Sequence, residues 1–373
     1  YGSRSRVPSR ACCYDWSLYC NLYIRCTVPR KSRIPCLNEV YVHAYPDKCI
    51  LAATDLTTWF ITEIPAQGDE FSFIFSRSCV AEKASRYFCG ELVMEYDVLE
   101  NEKRPRSRLT MRNGARTCEF EASSGEDYPD LPNEDGAPLF SVQAGRLMDR
   151  IKRTGYAAEK PSAHARPIGS CIQFSGNSIF ALDGRRMAWD TDESLTAPRE
   201  FGLQLDFLAH LKVFGEARVD FLWGAHYLQV TDGRTHLFSQ HRELSVFNFQ
   251  GAIPQRYAEQ FTVSPKEFLR ELTYLKGLLP KRAKPYVYFH NGTLTALASG
   301  EKYRTAISIS GETDLTVGFD LVYMMDALKQ FSGKPRVTVK FGGGMSPIVV
   351  GAENRSDHAL VLPVWVKSDA DVA

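Results

Sequence analysis

The residue types that most often do chemistry are present in this chain, but they are scattered. None of its 8 histidines belongs to a His-Glu-x-x-His pair, and His43, His164, His226 and His290 fall in strand-like or loop-like stretches with no paired carboxylate. A general base or a metal ligand needs a partner that orients it, so these histidines read as structural. Asp55 and Asp183 look like a carboxylate pair, yet each sits in a similar turn, LAATDL and IFALDG, in a different part of the chain. In such a turn a carboxylate accepts hydrogen bonds from backbone amides. The glycines at 342–344 lack the Lys-Ser/Thr that would complete a phosphate loop, and ASGEKYRT at 298–305 lacks the upstream glycine. Both read as turns between strands. Six of the 10 cysteines (Cys12, Cys13, Cys20, Cys26, Cys36 and Cys49) lie in the first fifty residues and form no Cys-x-x-Cys pair. Zinc needs ligands at short, paired spacings, so no metal and no cofactor are expected, and the thiols read as the reduced thiols of a cytosolic protein.

What is left is cationic. Arg146, Arg150 and Arg153 recur at i, i+4 and i+7, and Lys266 and Arg270 at i and i+4, each set on one face of a predicted helix. Such a row is either a solvated face or a phosphate-binding one. With Lys+Arg 45 against Asp+Glu 44, the net charge is +1. The chain is therefore no generally basic nucleic-acid coat, and any DNA contact must come from local segregation of charge.

The same helices have an apolar face that must position the cations. Ala144, Leu147, Met148 and Ile151 make a stripe within 141–153, and Phe268, Leu269, Leu272 and Leu275 make another. These helices belong to a repeat. GLQLDFLAHLKVFGEARVDFLWGAHYLQVTDG (202–233) and GFDLVYMMDALKQFSGKPRVTVKFGGGMSPIVVG (318–351) share one order: apolar-periodic helix, Gly-containing stop, two alternating strands. The repeating unit is about 120 residues long, and three copies fit the 373 residues. Pro-rich turns at 125–136 and 249–259 mark the boundaries. The expectation is an α+β fold of three similar domains, 1–127, 128–250 and 251–373, each with two helices backing antiparallel sheets. The longest apolar stretch, ALVLPVWV at 359–366, falls far short of the roughly 20 residues that span a bilayer, and the polar, basic opening YGSRSRVPSR does not read as a secretion signal.

Four stretches then resemble one family, the bacterial DNA polymerase III β subunit or sliding clamp. IPCLNEVYVHA followed by LAATDLTTWF resembles its first-domain signature, and YPDLP its Phe-Pro-x-Leu-Pro linker. ALDGRRMA is similar to Ala-Thr-Asp-Gly-His-Arg-Leu-Ala, and VLPVWV to Val-Met-Pro-Met-Arg-Leu. Departures are Arg185 in the place of the histidine, Val364 and Trp365 in the places of methionine and arginine, and an opening helix that is not legible in residues 1–26.

The resemblance implies a non-catalytic processivity factor: two crescents joined head to tail around duplex DNA, with helices lining the hole. It puts Arg146, Arg150, Arg153, Lys266 and Arg270 in the lumen and aligns Lys31 with a basic DNA-contacting position. It implies a trough for partner peptides with Leu and Phe anchors, walled by Ile168, Leu182, Gly184, Arg186, Met187, Pro254, Tyr323, Ser346, Leu360, Leu362, Pro363 and Val364. Expected partners are double-stranded DNA without sequence preference, a second copy of the chain, the polymerase III catalytic subunit, the clamp loader and other proteins with the same binding motif, and no membrane. Leu278 and Leu279, at the end of the third domain's helix, are the candidate apolar centre of the contact between copies. A nuclease on a basic α+β scaffold would need a clustered acidic triad at strand ends, and none is visible. A phage or plasmid clamp-like paralogue with altered partners is the other alternative.

Overall fold

The computed structural model describes residues 9–14, 34–76, 87–99, 106–133, 135–160, 166–241 and 247–365. Strict alternation sets most of it: in Glu39–Ala44, Val40, Val42 and Ala44 are buried while Glu39, Tyr41 and His43 are half-exposed, the period of two that makes a strand with one wet face. The chain divides into two compact units, residues 1–145 with 209–242 and residues 146–208 with 243–373.

The first unit is built on a twelve-stranded antiparallel sheet. One face buries Val42, Leu51, Phe73, Phe75 and Leu109; the other packs Trp59, Ile61, Ile74 and Phe238 with Tyr128 of the YPDLP segment, whose ring stacks on Tyr41 at 5.0 Å. The second unit holds a nine-stranded and a five-stranded sheet. One of its cores joins Phe268, Leu272 and Leu275 to Met324, Leu328 and Phe331. Both units exceed the expected domains because ladders run across both expected boundaries. Thr58–Gly68 pairs with Thr235–Gln240, with the Thr62 and Thr235 hydroxyls 2.9 Å apart, and Arg186–Thr191 pairs with Asp357–Val361.

Among the described residues the α-helices, in chain order, are α1 (Ala144–Thr154), α2 (Leu205–Ala209), α3 (Phe249–Ala252), α4 (Pro265–Leu278) and α5 (Leu321–Lys329). Their apolar stripes lie as read, with Ala144, Leu147, Met148, Ile151, Phe268, Leu272 and Leu275 all buried. The starts lie later than the pattern suggested. Ala137–Gln143 is a strand paired with Arg218–Trp223, and Gly202–Gln204 continue a strand paired with Cys171–Gln173. In each case the residues before the helix spend their backbone groups on a ladder, and a helix cannot also use them. At α5 the switch is made by Asp320, whose carboxylate accepts from the Val322 amide at 2.8 Å and caps the helix.

The turn carboxylates act on the backbone. Asp55 Oδ1 accepts from the amides of Thr57 (2.9 Å) and Thr58 (2.7 Å), and Asp183 Oδ1 from those of Arg185 (2.9 Å) and Arg186 (3.0 Å). Asp232 forms a third such turn, with Arg234 (3.0 Å) and Thr235 (2.8 Å). The next residue has positive φ in all three: Leu56 (74°), Gly184 (83°) and Gly233 (91°). Only glycine takes that conformation without cost, so Leu56 is the strained copy.

Candidate functional site

The cations of α1 are brought together, though not as a uniform exposed row. Arg146, Arg150 and Arg153 line a concavity of about 600 Å³ with Asp192, Ser194 and Ser356. At its floor the Arg150 side chain is 2% exposed and the Asp190 carboxylate is fully buried. Arg150 Nη2 donates to the Asp190 carbonyl at 2.8 Å, while its Nε and Nη1 make longer ionic contacts, 3.5 Å to Asp190 and 3.8 Å to Asp192. Arg153 Nη2 lies 2.9 Å from the same Asp190 oxygen, the Ser356 hydroxyl donates to the other oxygen at 2.6 Å, and Arg146 pairs with Asp192 at 3.0 Å. Burial pulls the Arg150 guanidinium below its ordinary value against the opposing pull of Asp190 and Asp192. Burial also acts to raise Asp192, but hydrogen bonds from the Ser194 amide and hydroxyl and the charges of Arg150 and Arg146 outweigh it, leaving that carboxyl below its usual range.

The expectation for Arg150 is therefore corrected: its side chain faces two carboxylates instead of solvent. Helical spacing alone could not distinguish it from its neighbours, because the acids that cover it come from the end of a strand about 40 positions away and the residue just past it. Arg146 and the partly exposed Arg153 keep solvent access. On α4, Lys266 is exposed and Arg270 is exposed but paired with Glu271 at 2.7 Å. Lys31 lies outside the described residues.

A larger cleft, about 990 Å³, opens in the second unit where the strands Tyr286–His290, Val317–Asp320 and Pro363–Val364 adjoin the start of α5. Of the twelve residues expected to wall a peptide trough, Tyr323, Leu362, Pro363 and Val364 line it. Arg186 stands behind them, bonded to Asp183 and Asp326 at 2.9 Å each, with its guanidinium 4.7 Å from the Tyr323 ring centroid. Its two carboxylate partners hold the guanidinium against the Tyr323 ring.

Leu182, Met187 and Leu360 are gathered elsewhere, in a buried cluster with Phe180 and Phe249 that Phe247, Ile253 and Tyr257 cover. The segment carrying α3 folds over them, and Phe249 stacks on Phe180 at 4.5 Å. These three expected wall residues are thus core. Ile168 and Pro254 are half-buried outside the open cleft, Gly184 forms the Asp183 turn, and Ser346 closes a turn on the Gly343 carbonyl at 3.0 Å.

Sequence reasoning missed the cleft's other side, Arg282, Lys284, Tyr286 and Tyr288. The available signal was the basic run Lys281–Lys284 followed by an alternating strand. At the end of α4, Leu278 is 39% exposed beside Tyr274 at 52%, whereas Leu279 packs against the core.

No group of His, Cys, Asp or Glu able to hold a metal occurs among the described residues, and no helix among them is long and apolar enough to cross a membrane. No family model matches the sequence. The chain is 23% identical over 361 residues to a protein of Chlamydia muridarum named Beta sliding clamp, covering 92% of this chain and 94% of that one. It is 20% identical over 364 residues to the Beta sliding clamp of Pseudomonas putida, with 90% and 94% covered. Among solved structures it is similar to the DNA polymerase III subunit beta of Pseudomonas aeruginosa, with TM-score 0.81 and 15% identity over 96% of this chain and 100% of that one. The sliding clamp of Bacillus subtilis gives TM-score 0.78 at 18% identity, with 96% and 100% covered.

Proposed function

We infer that this chain, which belongs to the bacterial β sliding clamp family, is a DNA sliding clamp, a non-catalytic processivity subunit of the replicative polymerase. The observation that carries this reading is a likeness to β clamps that runs nearly end to end in both chains, in sequence and in fold. We propose the finer assignments on that basis. The chain holds three clamp domains, 1–127, 128–250 and 251–373, and pairs head to tail with a second copy through an apolar contact centred on Leu278. Arg146, Arg153, Lys266 and Arg270, with Lys31, hold duplex DNA through its phosphates, which carry charge but no sequence information. The cleft lined by Tyr323, Leu362 and Val364 takes the Leu and Phe anchors of the polymerase, the clamp loader and other partners, in the nucleoid-associated cytoplasm.

The test is topological. Loaded onto nicked circular plasmid, a clamp stays with the DNA through gel filtration and is lost when the plasmid is cut once. Equal retention on circular and linear DNA, or a strictly monomeric protein at micromolar concentration, overturns the proposal.

A further inference from the structure

The open cleft is larger than two anchors need. At about 990 Å³ it matches the upper end of the roughly 300–1,000 Å³ that encloses a whole drug-sized ligand. Its extra length is one-signed. Arg185, Arg282 and Lys284 are all exposed and line the cleft, and Asp320 is the sole carboxylate among the lining residues. That carboxylate is already engaged, accepting from the amides of Val322 (2.8 Å) and Tyr323 (3.4 Å). The three cations have no carboxylate within ion-pair distance among the described residues, whereas Arg186 behind the same cleft has two.

The backbone that carries the cations is also held in place. The Ala283 amide donates to the Pro280 carbonyl at 2.9 Å, and the Leu321 amide to the Pro285 carbonyl at 2.7 Å, pinning the 280–285 loop to the start of α5. Lys284 Nζ lies 5.8 Å from the Tyr286 ring centroid. The Leu362 amide donates to the Arg185 carbonyl at 2.8 Å, which ties the Arg185 backbone to the apolar wall.

We propose that this cleft selects partner peptides whose apolar anchors are flanked by acidic residues, with Arg185, Arg282 and Lys284 reading the flank. This deepens the clamp reading and rests on it, since the anchors must first seat against Tyr323, Leu362 and Val364. Cations with no ion-pair partner among the described residues gain from a carboxylate what paired ones cannot, and like charges there repel a basic flank.

The experiment uses the whole protein and three ten-residue peptides with identical Leu and Phe anchors, flanked by Asp-Glu-Asp, Ser-Gln-Ser or Lys-Arg-Lys, measured by fluorescence anisotropy at 50 and 500 mM NaCl. At low salt the acidic peptide binds about five- to tenfold tighter than the neutral one, the scale of two or three exposed ion pairs. The difference closes at high salt, where screening shortens to about 4 Å. R282S/K284S brings the acidic peptide to the affinity of the neutral one, and R282E/K284E reverses the order in favour of the basic flank. Equal binding of acidic and neutral peptides at 50 mM salt, or a preference that survives R282E/K284E, overturns the inference and leaves the anchor site standing. Absence of binding by all three removes the anchor site as well.

Discussion

Replacing Asp190 by Asn tests the account of the α1 cation cluster. The Asp190 carboxylate, fully buried, faces Arg150 at 3.5 Å and Arg153 at 2.9 Å. D190N removes the charge and leaves two guanidinium groups around a neutral amide. Breaking one side of a buried ion pair costs about 3–5 kcal/mol. Here the lower end applies, because Asp192 still lies 3.8 Å from Arg150 and Arg153, 31% exposed, can turn to water. The expected loss is therefore about 3 kcal/mol. R150M removes the cation instead, and Asp190 keeps Arg153 and the Ser356 hydroxyl at 2.6 Å. What is lost is mainly the bond to the Asp190 carbonyl, about 1–2 kcal/mol. The double variant should cost less than the sum, since with R150M in place D190N orphans one charge fewer. Urea unfolding followed by circular dichroism, with midpoints converted at a common slope, gives all three values. If D190N costs no more than R150M, or the two costs simply add, Asp190 is not the shared counter-ion of this cluster.

Other outcomes follow from single observations. R146A/R153A should lower the slope of log K against log salt for duplex binding by up to ~0.9 per lost contact, equally for all sequences, while R150A leaves the slope alone; sequence-dependent loss would point to base readout. L362A should weaken an anchored peptide by about 1–3 kcal/mol in calorimetry, whereas M187A should lower stability by about 2–5 kcal/mol because Met187 is core; the reverse pattern would place the peptide on the covered cluster. L56G relieves a left-handed conformation costing a side chain about 1–2 kcal/mol but loosens the unfolded chain by about 0.5–1 kcal/mol, so the melting temperature should rise slightly; a fall would count against strain at Leu56. Burial lowers the proton affinity of His236 and His358 below the ordinary 6.5. The unfolded chain then takes up protons first, so stability present above pH 6.5 should decline as pH falls through the lowered values. In H236Q/H358Q that decline should be shallower in urea titrations between pH 7 and 5.

The apolar helix stripes and the turn carboxylates were legible because each is a local matter of spacing. Ala144, Leu147 and Ile151 declare a buried face within two turns, and Asp55 and Asp183 sit in similar short turns. What was not legible depends on pairing at long range. Arg150 reads like Arg146 until Asp190, on a strand, and Asp192, just past its end, are laid against the helix. Met187 and Leu360 read as trough walls until the segment around Phe249 folds over them. Helix starts moved because ladder partners such as Arg218–Trp223 claimed residues whose side-chain pattern also suited a helix. The basic side of the open cleft was readable as charge but not as position, since Lys284 meets Leu362 only through the order of the five-stranded sheet.

The ladders that cross the expected boundaries tie together segments that the sequence reading assigns to different domains. In a fragment cut at 128 and 250, Thr235–Gln240 would lose Thr58–Gly68 and Arg186–Thr191 would lose Asp357–Val361. Each cut would bare an edge strand, a template for unwanted pairing that native proteins keep covered. A chain of this kind can diverge freely in its turns and surfaces while its segments stay inseparable. The middle third is completed by strands from the residues on either side of it.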